Sequence, residues 1–230
     1  MTSSGPLAIF DLDRTLHAGS GLGVLSRHAF RSRLITRERM ARSLLHDLVF
    51  RRRGSTDDHI NSIAELALDM AGGTSLDDLE PVIVRTADEI ADSVRPPMQA
   101  VLELHYGAGH HCVLLSASPQ RLVTRIADLL GFHTGIGTVI DEEDGVLTGK
   151  IVPPMCYGPG KLERLRAVLG WSGHRLPIAN ASRPGIRSYA YADSISDLPL
   201  LEAVEAPFVV SPDRRLRKVA FERNWPVLEA

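Results

Sequence analysis

The feature that most constrains this chain is a short apolar run that ends in two carboxylates. Leu7–Phe10 holds four consecutive apolar residues, and Asp11-Leu12-Asp13 follows without a break. A run of this length predicts a strand buried on both faces, which is typical of a parallel sheet. Side chains two positions apart in an extended segment lie on the same side. We therefore expect the carboxylates of Asp11 and Asp13 to face one point.

Short apolar runs alternate with helical patterns through most of the chain. Further strands are predicted at Cys112–Leu115, Tyr189–Tyr191 and Phe208–Val210. A turn at Asp144-Gly145 predicts a β-hairpin within residues 136–152. Strands that alternate with helices predict an α/β fold with a Rossmann-like parallel sheet as its core.

Residues 19–95 depart from this pattern, because they show helical periodicity and no convincing strand. We expect them to form a helical cap inserted after the first strand, while residues 1–18 and 96–230 form the α/β core. The cap also separates charge. Nine arginines and two acids lie between Arg27 and Arg53, and ten acids and one arginine between Gly54 and Asp92. We favour the interpretation that the two charge blocks neutralise each other where their helices are in contact. The alternative is that the arginines form a basic rim that attracts an anionic substrate, an acidic carrier protein or a phospholipid surface.

The composition excludes several classes of function. With 26 basic and 28 acidic residues among 230, the net charge is −2, so strong attraction to nucleic acid is not expected. No stretch approaches the roughly 20 apolar residues of a membrane span, and the short polar N-terminus does not resemble a secretory signal. Two cysteines, Cys112 and Cys156, make neither a disulfide framework nor a zinc site. We therefore expect a protein of the reducing cytoplasm.

Groups suited to catalysis follow predicted strands or begin a predicted helix at four places in the chain. They are Asp11 and Asp13, Ser116 and Ser118, Lys161, and Asp193 and Asp197. Open α/β sheets bind ligands at the carboxyl ends of their strands, so we expect these groups to meet in one site. Paired carboxylates can bind a hard cation or act as nucleophile and proton carrier, and hydroxyls with free N–H groups at a helix start suit a phosphate.

Each group also has a simpler interpretation when taken alone. Aspartates and serines favour turns and helix N-termini, and Lys161 alone would be a surface lysine. An Asp-x-Asp pair could also hold a metal and a nucleotide-sugar, as in a glycosyltransferase. That alternative does not account for Ser116, Lys161 and Asp193 at this spacing.

Together these segments resemble the haloacid dehalogenase superfamily of aspartate-nucleophile phosphatases. Residues 10–16 are similar to its first motif, an Asp-x-Asp-x-Thr after a hydrophobic strand. Leu114–Ser116 resembles the second motif, Lys161 the third and Tyr191–Pro199 the fourth. Order and spacing agree along essentially the whole chain. The helical insertion between the first two motifs resembles the C1-type cap of the phosphoserine-phosphatase-like branch, type IB.

The resemblance implies a Mg²⁺-dependent phosphomonoesterase that acts on a small phosphorylated metabolite through an aspartyl-phosphate intermediate. Asp11 would be the nucleophile and Asp13 the general acid and base. Mg²⁺ would be held by the Asp11 carboxylate, the Asp13 backbone carbonyl and Asp193, and Asp197 would order a metal-bound water or a neighbouring group. The residues expected to bind the substrate phosphate are Ser116, Lys161, Thr15 and Ser118.

The resemblance disfavours phosphoserine as the substrate. True phosphoserine phosphatases place a Glu nine residues after the nucleophile, where this chain has Ser20, and no acid lies between Asp13 and Glu38. The first motif is also similar to that of domains fused to lysophospholipid acyltransferases, so a lysophospholipid or another lipid phosphate is an alternative substrate. A phosphotransferase that uses the same intermediate is the alternative reaction. A catalytically silent binding protein is disfavoured, because the expected acidic and basic groups are all present.

Overall fold

The structure, a computed structural model, describes residues 6–34, 71–170 and 188–230. The strands of this part of the chain are β1 (Leu7–Phe10), β2 (His111–Pro119), β3 (Thr134–Thr138), β4 (Ile140–Glu143), β5 (Val146–Ile151), β6 (Ser188–Ala192), β7 (Ala206–Val210) and β8 (Val227–Leu228). The helices are α1 (Gly21–Arg31), α2 (Leu76–Asp92), α3 (Pro96–Gly107), α4 (Gln120–Leu130), α5 (Pro159–Leu169), α6 (Leu198–Ala203) and α7 (Arg214–Glu222), and a 3₁₀ turn spans Ile195–Asp197. None of these helices has the length and apolar character needed to cross a bilayer.

Six of the strands form one parallel sheet in the order β3-β2-β1-β6-β7-β8. The first strand lies near its centre, where Phe10 is opposite both Leu114 of β2 and Tyr191 of β6. Ala8 and Phe10 face one hydrophobic cluster with α2, α3 and α4, whereas the alternate residues of β1 face a second cluster with α5, α6 and α7. Burial on both faces explains the continuous apolar run. The predicted Rossmann-like α/β fold is confirmed.

The described part of the helical insertion packs against the core of the sheet. Val24 of α1 and Ile90 of α2 belong to the same buried cluster as Phe10. The two ends of the insertion lie side by side, since the Arg95 N–H donates to the Leu16 carbonyl at 2.8 Å. The division into a cap at 19–95 and a core at 1–18 and 96–230 stays a prediction.

The opposing charge blocks meet where α1 contacts α2. Arg27 and His28 both bond to the Glu89 carboxylate, and the His28 contact is 2.9 Å. This is the helix-to-helix pairing that the sequence favours. Residues 35–70, which carry six of the nine arginines of the basic block and four of the ten acids of the acidic block, lie outside the described residues, as does the predicted loop at 171–187.

The hairpin predicted within residues 136–152 begins later than expected. Residues 136–138 belong to β3, which pairs in parallel with β2 and extends the main sheet. The antiparallel hairpin is formed by β4 and β5 around Asp144 and Gly145, both in the left-handed region with φ of 49° and 77°. Gly135 and Gly137 interrupt the apolar pattern of β3, so its role in the sheet is not evident from the sequence.

A cluster of titratable side chains lies in the core behind β1 and β6. His105 of α3 is buried, with its Nδ1 atom 2.6 Å from Nδ1 of His110 and its Nε2 atom 2.8 Å from the Tyr191 hydroxyl. Its ring also meets the edge of the Phe10 ring, with centroids 5.7 Å apart. Burial, followed by the nearby His110, lowers the pKa of His105 to about 4. The folded protein therefore keeps this imidazole neutral.

We expect the free energy of unfolding to fall as the pH decreases from 6.5 to about 4. In this window His105 takes up a proton in the unfolded chain but not in the folded protein, so acid favours unfolding. The test is urea unfolding of the wild type and of His105→Gln, which keeps a hydrogen-bonding partner for Tyr191. The stability advantage of the wild type should shrink as the pH falls, and an advantage that is constant across this range would contradict the assignment.

Candidate active site

The sheet topology brings the carboxyl ends of β1 and β6 together. Asp11 directly follows β1, and its backbone N–H donates to the Tyr191 carbonyl of β6 at 3.0 Å. Asp193 directly follows β6. Both side chains are buried, at 5% and 3% exposure. The two aspartates are therefore neighbours in space although most of the chain separates them.

Lys161 lies in the first turn of α5, the helix that packs with α6 and α7 on one face of the sheet. Its Nζ atom lies 2.6 Å from Asp11 Oδ1 and 2.8 Å from Asp197 Oδ1. The turn before it is tight, because a Cβ on Gly160 would come 2.1 Å from the Met155 carbonyl oxygen. Glycine is therefore required one residue before the lysine. Burial alone would lower the pKa of Lys161, but the Asp11 and Asp197 carboxylates raise it above its ordinary value.

Three carboxylates surround a point at which a cation could bind. Asp11, Asp193 and Asp197 each offer an oxygen, and these oxygens lie within 4.8 Å of one another. Burial, and then repulsion from Asp11, raises the pKa of Asp193 to about 7. Burial also raises the pKa of Asp197, although Lys161 opposes this. The sequence assigned Asp197 a supporting role, whereas the structure places its carboxylate directly in the acidic cluster.

The Asp13 carboxylate is not one of these three and is bonded instead to the start of α1. It accepts a hydrogen bond of 2.5 Å from the backbone N–H of Gly21. A Cβ on Gly21 would lie 3.0 Å from Ser118 Oγ and 3.2 Å from Asp13 Oδ1, so glycine leaves room for both groups. Burial and the nearby Asp11 charge raise the pKa of Asp13 to about 6. A carboxyl group of this pKa can carry a proton close to neutral pH.

Arg14 is a site residue that the sequence analysis did not single out. Its Nε atom lies 3.0 Å from Asp193 Oδ2, and its side chain is 59% exposed. Its φ of 60° is in the left-handed region, where a residue with a Cβ is strained by about 1–2 kcal/mol. The sequence offers no signal for this contact, because Arg14 and Asp193 meet only through the pairing of β1 with β6.

The predicted phosphate-binding hydroxyls lie near Asp11, but they are not equally accessible. Ser118 is part of the wall of the cavity that contains Asp11, and its buried hydroxyl has no hydrogen-bonding partner among the described residues. In the described part of the chain the buried hydroxyl of Thr15 also has no partner, but Thr15 is not part of the wall. Ser116 Oγ accepts the Ser118 N–H at 3.1 Å and is likewise behind the wall. The roles of these three residues stay predictions.

Asp213, also missed as a site residue, fixes the loop that carries Asp193. Its backbone N–H donates to the Asp193 carbonyl at 2.9 Å, and its Oδ2 atom accepts the Ile195 N–H at 2.8 Å. Its other carboxylate oxygen caps α7 through the N–H of Leu216 at 2.8 Å. The available signal was an Asp immediately before a predicted helix, which identifies a cap and not its second partner.

These groups stand at one end of a cavity of about 1200 Å³. The wall at this polar end includes Asp11, Asp13, Arg14, Ser118, Lys161, Asp193 and Asp197. Among the described residues, the remaining wall comes mainly from α1, α2, the end of β2 with the start of α4, the β4–β5 hairpin and the segment before α5. The arrangement can hold a phosphate group between Lys161 and a cation, next to a carboxylate nucleophile and a carboxyl proton donor.

Comparison with known proteins identifies a family model and several relatives to which this chain is similar. The family model described as haloacid dehalogenase-like hydrolase matches residues 8–202. The chain is 31% identical over 224 residues to the inhibition of morphological differentiation protein of Streptomyces azureus, covering 96% of this chain and 77% of that protein. It is 33% identical over 222 residues to a probable phosphatase of Mycobacterium tuberculosis, covering 96% of this chain and 74% of that protein.

Solved structures show the same fold. A protein of unknown function from Bordetella pertussis Tohama I superposes with a TM-score of 0.81 at 29% sequence identity, covering 98% of both chains. A phosphoserine phosphatase in its apo form superposes with a TM-score of 0.62 at 14% identity, covering 98% of this chain and 94% of that chain. The second similarity concerns the fold alone.

Replacing Lys161 with methionine should destabilise the protein by about 3–5 kcal/mol at neutral pH, because it leaves Asp11 and Asp197 buried without a cation. Lys161 opposes the effect of burial on Asp197, so without it the pKa of Asp197 in the folded variant would rise further above that of the unfolded chain. A carboxyl group with a raised pKa in the folded state makes folding less favourable as the pH rises from its unfolded pKa to its folded pKa. The destabilisation caused by Lys161→Met should therefore decrease as the pH is lowered toward about 4. Urea unfolding of the wild type and of Lys161→Met at several pH values measures this destabilisation.

The matched control is Lys218→Met. Lys218 is 78% exposed and lies 3.7 Å from Glu222, so its removal should cost at most about 0.5 kcal/mol at any pH. Equal costs for the two variants would show that the buried ion pairs of Lys161 do not support the fold.

Proposed function

The chain belongs to the haloacid dehalogenase-like hydrolase family, and on this basis we propose that it is a phosphatase that hydrolyses phosphate monoesters of small metabolites. The observation that carries the proposal is the position of Lys161 Nζ, 2.6 Å from Asp11 Oδ1, beside the buried Asp193 and Asp197 carboxylates. Nucleophile, cationic group and cation-binding oxygens thus stand together at the end of the cavity. The name of the Mycobacterium tuberculosis relative, a probable phosphatase, agrees with it.

The acidic cluster fits Mg²⁺ by its chemistry. Hard oxygen donors suit this ion, and three carboxylate oxygens lie within 4.8 Å of one another. Burial, and then the negative charge of Asp11, raises the pKa of Asp193, and a bound cation would offset both effects by stabilising its charged form. We propose that Asp11, the Asp13 backbone carbonyl and Asp193 hold Mg²⁺, with Asp197 ordering their surroundings. Bound Mg²⁺ would supply electrostatic stabilisation of the phosphoryl oxygens.

Asp11 is the proposed nucleophile. A carboxylate that approaches a phosphate dianion meets like-charge repulsion, and the Lys161 ammonium at 2.6 Å offsets this charge. The bond from an Asp11 oxygen to phosphorus forms as the bond from phosphorus to the alcohol oxygen breaks. Covalent catalysis of this kind divides the displacement into two easier steps.

Asp13 is the proposed proton carrier for both steps. With a pKa near 6, raised by burial and by Asp11, its carboxyl group can protonate the departing alkoxide oxygen. It then accepts a proton from the water whose oxygen attacks the phosphorus of the aspartyl-phosphate. Phosphate leaves and the Asp11 carboxylate is regenerated. The hydrogen bond from Gly21 keeps the Asp13 carboxylate oriented throughout.

The remaining polar groups are proposed to bind the phosphoryl oxygens. Ser118 is best placed, because it belongs to the cavity wall and no described residue is a hydrogen-bonding partner of its hydroxyl. Thr15 and Ser116 would support the phosphate from behind this wall. We also propose that residues 19–95 act as the cap over the site, since Leu22 of α1 and Leu79 of α2 line the same cavity.

Asp11→Asn should reduce turnover of p-nitrophenyl phosphate by several orders of magnitude, because the amide is nearly isosteric but not nucleophilic. Release of p-nitrophenol measures the rate directly. Asp128→Asn, at an exposed position on α4, makes the same chemical change away from the site and should leave the rate unchanged. Turnover by Asp11→Asn at the wild-type rate would exclude the proposed mechanism.

Removal of divalent cations with a chelator should abolish turnover, and excess Mg²⁺ should restore it. Binding of Mg²⁺ to the folded state should also raise the melting temperature of the wild type. It should raise that of Asp193→Asn much less, because that variant lacks one of the proposed ligands. Undiminished turnover in chelator, or an equal Mg²⁺-induced shift in both proteins, would contradict the proposed metal site.

A further inference from the structure

The cavity that contains Asp11 has two chemically different ends. Beyond the polar end, the described wall carries apolar side chains of α1, α2, the hairpin and the segment before α5, together with the polar or charged side chains of Gln120, Arg121, Asp141 and Glu142. The apolar side chains include Leu22, Leu25, Leu79, Ile140, Ile151 and Met155. All six are half-buried, in contrast to the fully buried side chains of the core, so they present apolar surface to the cavity.

The size of the cavity indicates that a phosphate group fills only part of it. Its volume of about 1200 Å³ exceeds the range of roughly 300–1,000 Å³ that is usual for small-molecule sites. A phosphoryl group bound at Asp11 and Lys161 would occupy the polar end. The apolar end would then be left to water, which gains little from contact with such a wall.

In the part of the wall that the structure describes, the charged side chains are already engaged by the protein. Arg121 pairs with Glu142 at 2.8 Å, and Asp141 accepts a hydrogen bond of 3.0 Å from Thr148. Arg14, near the polar end, pairs with Asp193. A substrate with an ammonium or carboxylate group beyond the phosphate would have to compete for these partners. A hydrocarbon group would meet apolar side chains without that cost.

We propose that the substrate is the phosphate monoester of an apolar alcohol, with its hydrocarbon part against the wall around Leu22, Leu79 and Ile140. This inference rests on the proposed phosphatase function and specifies its substrate class. One water is consumed for each ester cleaved. The alcohol leaves with the Asp13 proton, and inorganic phosphate is released from Asp11.

The experiment compares straight-chain alkyl phosphates from ethyl to octyl phosphate, with phosphate release as the readout and Mg²⁺ present. Each methylene buried against the wall should raise kcat/KM about threefold, somewhat below the fourfold that full burial of a CH₂ would give. The gain should appear mainly in KM, because the hydrocarbon contact is the same in the ground state and the transition state. Hexyl phosphate should be cleaved more efficiently than phosphoserine.

Variants then test whether this wall is the cause. Ile140→Asn and Leu22→Asn should each flatten the dependence of kcat/KM on chain length. Leu129→Asn, at a 43% exposed apolar position of α4 outside the cavity, should retain both activity and chain-length dependence. The slope is a ratio measured on one protein sample, so partial unfolding of a variant does not alter it.

The outcomes separate the two proposals. A flat or falling series in the wild type, or phosphoserine preferred over hexyl phosphate, would overturn the apolar substrate and leave the phosphatase function standing. A steep series that the two wall variants do not change would also overturn this inference, because the hydrocarbon would then bind elsewhere. No release from any ester, p-nitrophenyl phosphate included, would overturn the phosphatase function and this inference with it.

Discussion

The buried ammonium of Lys161 is the interaction on which the site depends. It stands 2.6 Å from Asp11 and 2.8 Å from Asp197, and all three side chains are almost completely withdrawn from solvent. Carboxylates buried this close together repel one another and lose their hydration, so a shared cation is needed to keep them charged. The same contacts join the end of β1, the start of α5 and the turn after β6. One lysine therefore serves the electrostatics of the site and the packing of three elements.

The backbone around the acidic cluster is as specific as its side chains. Gly160 permits a carbonyl approach that no other residue would allow, and Asp213 holds the Asp193 loop through its amide and its carboxylate. Arg14 accepts an unfavourable φ and reaches the same loop from the other side. Asp193 is thus held from two directions, at its backbone by Asp213 and at its carboxylate by Arg14, and both contacts restrict the position of that carboxylate.

The sequence specifies those parts of the molecule whose physical cause is local. Leu7–Phe10 is apolar because it is buried on both faces. The two acids that follow are recognisable in the sequence because they end this apolar run. The contact of Arg14 with Asp193 depends on strand order, which no local pattern encodes. The short strand β8 and the glycine-interrupted β3 carry too little periodicity to be predicted. The amphiphilic character of the cavity also appears only in three dimensions, since its apolar wall combines four separate segments.

The central position of β1 has a consequence for how this enzyme comes into being. Its two neighbours in the sheet are distant in the chain: Leu7 pairs with His111, 111 − 7 = 104 residues later, and with Ser188, 188 − 7 = 181 residues later. Closing such long loops before any contact is gained slows folding. During synthesis the first strand is made early, gains its partner β2 about halfway along the chain, and lacks its second partner, β6, until residue 188 has been translated. Catalytic competence is thus among the last properties that the nascent chain acquires, and an apolar strand edge is exposed until then.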